Sequence, residues 1–201
     1  FWEAYLAMEP HVLIRFGRWH QIIDMAQPED PVTYATLNAT LFYAKGLAHA
    51  ALGQVPHALE MEEKFLTAHV PDTRLVHNNT VVDLLEVAKE MLRGEILYRE
   101  ERYDEAYAAL RRSVALEDAL HYDEPWGWMQ PTRHALGALL YEQGHVVEAE
   151  EVYRQDLGPV SYKHLQPPGT VQDLLCVLLF KKKKNIKNHT YKPEHDTKIN
   201  L

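Results

Sequence analysis

The chain reads as an all-α protein built from about four helical hairpins in series, and three observations carry that reading. Apolar residues recur at helical spacing through residues 1–158. Residues that end helices, such as Gly17, Gly53 and the run Pro28-Glu29-Asp30-Pro31, punctuate the pattern. The glycines and the crossing positions also keep phase: Gly17 to Gly53 and Ile22 to Ala58 are both 36 residues apart, Gly46 to Gly94 and Ala58 to Ala106 both 48, Gly94 to Gly137 and Ala106 to Ala149 both 43. Unrelated helices have no reason to share intervals, so the hairpins read as copies of one unit.

The first hairpin, about 1–27, carries FWEAYLAME and PHVLIRFGRWHQIIDM around a turn at Gly17. It opens on Phe1 in the middle of a helical pattern, and the chain therefore reads as a fragment. The second, 33–68, runs through LNATLFYAKGLAHAAL to Gly53 and returns through HALEMEEKFL, with Pro56 suited to the first turn of the return helix. Extra residues around 69–79 lengthen the connection to the third, 79–118. Its centre is MLRGEILYREERYDEAYAALRRSVAL, with Gly94 and Ala106 where two backbones must approach. The fourth is placed at 125–157, with Pro125 in the first turn of its first helix, Asp123 or Glu124 as the cap, and Pro131 limiting how regular that start can be. His49 and His57 flank a turn, where a capping or buried role is expected.

Composition narrows the class. Of 201 residues 46% are hydrophobic, enough for a continuous core. The single cysteine, Cys176, excludes an intrachain disulfide framework and suits a reducing compartment, so a cytoplasmic location is expected. No run approaches the roughly 18 to 20 apolar residues of a membrane span, and no membrane partner is expected. Composition changes abruptly at Pro159. Residues 1–158 hold ten arginines, three lysines and twenty alanines, whereas 159–201 hold eight lysines and neither of the other two. The formal charge is −13 before that point and +5 after it. VQDLLCVLLF followed by KKKKNIKN admits a basic tail that touches an acidic membrane or serves as an import signal. The favoured reading is a disordered, non-native end of chimeric or read-through origin. A body at −13 repels phosphate, so nucleic acid is not an expected partner, and a basic protein surface is.

Leu136, Gly137, Leu140, Gly144, Ala149 and Tyr153 of the fourth unit, Gly94, Tyr103 and Ala106 of the third, and Gly46, Gly53 and Ala58 of the second together resemble the tetratricopeptide repeat. The intervals of 36, 48 and 43 exceed the usual 34 of that repeat, and no closing proline follows the return helices. The resemblance implies a right-handed superhelix whose first helices line a concave groove that binds a peptide or partner helix. Aligned to the repeat, the groove positions are Tyr43, Leu47, Met91, Glu95, Tyr98, Arg99, His134, Ala138 and Tyr141. Leu47, Glu95 and Ala138 stand where chaperone-binding members carry the asparagine of a carboxylate clamp, so that ligand is not implied.

The run EDALHYDEPWGWMQPTRH, 117–134, is the most distinctive. Trp126 and Trp128 read either as a binding hot spot at the groove rim or as packing of the loop on the preceding repeat. Together with the turn Arg15 to Trp19, the run is similar to a stretch of longer uncharacterised repeat proteins, which implies no activity. Glu117, Asp118, His121, Asp123, Glu124 and His134 offer oxygen and nitrogen donors, and the alternative function is a metal-dependent enzyme or metal-binding regulator built on them. No HExxH, paired CxxC or calcium-loop spacing makes them converge, so neither metal nor cofactor is expected. No GxSxG or phosphate-cradling loop occurs, and the acidic pairs Glu100/Glu101 and Glu150/Glu151 read as exposed helix faces. The expected function is therefore a non-enzymatic scaffold or adaptor for a protein or peptide, with self-association through apolar end faces as a third reading.

Overall fold

The computed structural model describes residues 2–124 and 127–157. Trp126 and the tail 159–201, expected to be disordered, lie outside the described residues. Within them the chain is all-α apart from one pair of two-residue strands. A 3-10 segment, Trp2–Ala7, leads into α1 (Met8–Arg15) and α2 (Trp19–Asp24). Then follow α3 (Ala35–Ala51), α4 (Val55–Thr67), α5 (Val81–Arg99), α6 (Tyr103–Ala119), α7 (Thr132–Glu142) and α8 (Val146–Asp156). Between α4 and α5, β1 (Leu75–Val76) and β2 (Asn79–Thr80) pair antiparallel around a turn with His77 at φ 52°.

One turn geometry closes all four helix pairs. Gly17, Gly53, Glu101 and Gly144 each stand at positive φ, between 63° and 85°. The amide of each bonds the carbonyl three residues back, and the next amide reaches five residues back: Arg18 to Leu13 at 2.9 Å, Gln54 to His49 at 2.8 Å, Arg102 to Leu97 and His145 to Leu140 at 3.0 Å. This left-handed cap satisfies the last carbonyls of the first helix and reverses the chain within about three residues. Five residues after each positive-φ position comes a fully buried side chain, Ile22, Ala58, Ala106 and Ala149. The small ones let the return helix approach closely. A Cβ on Gly94 would lie 2.6 Å from Leu110 Cγ, and one on Gly137 would lie 2.6 Å from Tyr153 Cζ.

The pairs α3/α4, α5/α6 and α7/α8 pack most extensively, and each return helix also meets the next first helix, α2 on α3, α4 on α5 and α6 on α7. First helices touch as well, α3 with α5 and α5 with α7. Starts are set locally. Thr80 caps α5 by accepting from the Asp83 amide at 3.1 Å, Pro56 sits in the first turn of α4, and Asp104 and Glu105 place negative charge in the first turn of α6. The core is continuous along the stack. One cluster centres on Tyr43, Leu84, Leu92 and Ile96, and the next on Leu97, Leu110, Leu136 and Leu140.

The start of α7 differs from the sequence expectation. The helix begins at Thr132, after Pro131, and not near Pro125. Asp123 is no cap, because its carboxylate is spent on the β-turn: it accepts from Asn79 Nδ2 at 2.8 Å and from the Asn78 amide at 3.2 Å. Glu117 serves α7 instead. From the last turn of α6 its Oε2 accepts from the Thr132 amide at 2.9 Å and from the Thr132 hydroxyl. That leaves 120–124 and 127–131, the described parts of the connection between α6 and α7, non-helical.

Candidate functional site

The side chains expected to line a groove stand on α3, α5 and α7, and they divide into a closed part and an open part. The closed part is aromatic. Tyr43 and Met91, on α3 and α5, are buried together, with Tyr43 Oη 3.8 Å from Met91 Sδ. Trp128 covers them: its Nε1 donates to Met91 Sδ at 3.1 Å, and its ring stands edge-on to Tyr43 at 5.2 Å and to His11 of α1 at 5.0 Å. Gln130 completes the cover by accepting from Tyr43 Oη at 2.9 Å. Burial, with Glu95 adding a like charge, pushes the Tyr43 phenol well above its ordinary range, so it acts as a neutral donor. Burial also lowers the His11 imidazole to about 4 and keeps it neutral beside the indole. Leu47 is buried at the edge of this cluster.

Trp128 is therefore buried against α3 and α5 and is not an exposed rim, with 3% of its surface accessible. Its partners lie 37 and 85 positions away in sequence, on α5 and α3. The second rim candidate, Trp126, lies outside the described residues. The signal that could have located Trp128 was the second, structural reading of that run, packing on earlier repeats. Nothing local identified Gln130 or His11.

The open part is polar and half-buried, except that Tyr98, expected on the groove, is buried. Arg99 forks onto Glu95, with Nε at 2.9 Å and Nη2 at 2.6 Å from Oε1, and its guanidinium lies 5.2 Å from the Tyr98 ring centre. Tyr98 is 4% exposed and stands edge-on to Tyr103 at 5.2 Å; its hydroxyl accepts from Gln143 Nε2 at 2.8 Å. Burial pushes that phenol up to about 12. Tyr141 and Ala138 of α7 are half-buried. His134 turns to α8, where Nε2 meets Asp156 Oδ2 at 3.0 Å. The arrangement offers a carboxylate, a guanidinium and aromatic edges, which suits recognition of a polypeptide by charge and ring contacts.

The oxygen and nitrogen donors of 117–134 do not gather. Glu117 binds Thr132, Asp118 forks with Arg133 at 2.6 and 2.7 Å, Asp123 holds Asn78 and Asn79, Glu124 pairs with Tyr122, and His134 pairs with Asp156. Among the described residues no group of three or more His, Cys, Asp or Glu side chains is placed to hold a metal ion. His49 and His57 stack at 5.3 Å, and His49 Nδ1 meets Gln54 Oε1 at 2.7 Å, which ties them to the α3–α4 turn. Among the described residues no helix is long and apolar enough to cross a membrane. Compared with protein-family models, with curated proteins and with solved structures, the chain matches none.

Proposed function

We propose that the chain is a non-enzymatic scaffold, a tetratricopeptide-like right-handed superhelix in the cytoplasm that captures an extended peptide or partner helix on the inner face of its first helices. The observation that carries the reading is the recurrence of one left-handed turn, followed five residues later by a fully buried side chain, at four places in the chain. A stack of like hairpins presents one helix of every pair to the same side, and the part of such a face that no other segment covers is free to bind. On this reading the Glu95–Arg99 fork and Tyr141, all partly accessible, belong to that face. The charge of −13 over residues 1–158 favours a basic ligand.

Affinity capture from lysate by the full chain, read by mass spectrometry beside an Arg99→Ala, Tyr141→Ala variant, tests this. A basic partner held at low salt, weakened at high salt and lost with the variant is the expected result. Capture that is unchanged in the variant, with helicity intact, removes the inner face as the site.

A further inference from the structure

We propose that the cradle of Trp128 is an anchor pocket that a partner enters by exchange: a polypeptide segment bearing a tryptophan, with a side-chain carbonyl two residues on, takes the places of Trp128 and Gln130. The inference rests on the scaffold reading and names the ligand chemistry which that reading leaves open.

The chain's own residues 127–130 already behave as such a ligand. They are non-helical and lie across α3 and α5, giving an indole to Tyr43, Met91 and His11 and an amide carbonyl to the Tyr43 hydroxyl. Trp128 itself packs in the hydrophobic core, and the run that precedes it, 121–123, is held by polar contacts. Asp123 takes the Asn79 side chain and the Asn78 amide. Asn79 Oδ1 accepts from the His121 amide at 2.7 Å, and Asn78 Nδ2 donates to the Tyr122 carbonyl at 2.8 Å. Water can replace each of these bonds, so the latch can open without unfolding a helix.

The fit is also incomplete. A cavity of about 50 Å³ lies beside Trp128, bordered by His11, Thr36 and Thr40. His11 Nδ1, Thr36 Oγ1 and Gln130 Nε2 are buried without a protein partner. A segment that fills the cavity or meets those atoms binds better than the resident one. Met91 at the pocket floor adapts to a different ring, since a thioether tolerates varied contact geometry.

The probe is a fluorescein-labelled peptide of sequence 121–131, followed by anisotropy on the full chain. Asp123→Ala, which opens the latch, is expected to bind it at least tenfold more tightly than the unmodified chain. The same peptide with alanine in place of its second tryptophan is expected to lose that gain. Equal affinity in both chains overturns the proposal.

A measurement on the unmodified chain keeps it testable should Asp123→Ala lose its helicity. Exchange of the latch amides of His121 and Asn78 is expected to be at least a hundredfold faster than that of the α5 amides. Protection equal to α5 makes the segment a permanent part of the core and overturns the exchange. A lysate partner that added peptide fails to displace also overturns it while leaving the scaffold standing. Peptide exchange without any lysate partner leaves the pocket standing and removes the scaffold.

Discussion

At the scale of single residues, the turn position of the third hairpin is the exception that explains the other three. Gly17, Gly53 and Gly144 take positive φ without a Cβ to clash, whereas Glu101 holds φ 63° with its side chain exposed. The left-handed region costs an L-residue roughly 1 kcal/mol, part of which glycine returns as lost chain entropy. Glu101→Gly is expected to raise the unfolding free energy by about 0.5 to 1 kcal/mol, and Gly94→Ala to lower it by about 1 to 3 kcal/mol. The second value follows because the new methyl would overlap Leu110, which is itself fully buried. Urea unfolding of the two variants checks both signs, and a Gly94→Ala chain as stable as the parent would mean that α5 and α6 are not held at this distance.

At the scale of elements, the segment joining α6 to α7 ties together two titrating groups whose effects oppose. Burial pushes Glu117 up to about 7 from 4.5, against the opposing bonds from Thr132. Its contribution is fully present below about pH 4.5 and is lost as pH rises through about 7. Burial lowers His11 from 6.5 to about 4, so its contribution is present above about pH 6.5 and is lost as pH falls through about 4. Between these limits the two slopes cancel, and the parent chain should be nearly level in stability from pH 7 to pH 5. Glu117→Gln leaves His11 alone and should lose about 2 kcal/mol on that acidification; His11→Leu leaves Glu117 alone and should gain about as much. Unfolding curves of the three proteins at both pH values decide it, and parallel behaviour of the two variants would contradict the assignment. The origin of this segment's role also marks where the sequence stops being legible. The turn glycines and the alanines at helix crossings obey local rules, so the hairpins can be read from spacing alone. The contacts of Trp128 and Gln130 with Tyr43 span 85 and 87 positions. No periodicity reports a contact of that range, and the local signals at Pro125, with an acid before it, point to a helix start seven residues ahead of the one at Thr132. Only the competition of Asn79 for Asp123 overrides them.

At the scale of the whole molecule, the residues expected on α3, α5 and α7 divide between a sealed aromatic cluster and a partly accessible polar set. Alignment to the repeat selected residues of both kinds, because repeat position fixes which way a side chain faces and says nothing of what covers it. Tyr43 and Met91 are covered by the chain itself, whereas the Glu95–Arg99 fork and Tyr141 remain partly accessible. Site-specific photo-crosslinking tests the central claim most directly. A benzophenone amino acid is placed at Tyr141 on the inner side or at Leu59, exposed on α4, and the full chain is irradiated in lysate. Binding through the inner face predicts a discrete adduct from position 141 and none from position 59. An adduct from position 59 alone, or none from either, would contradict it.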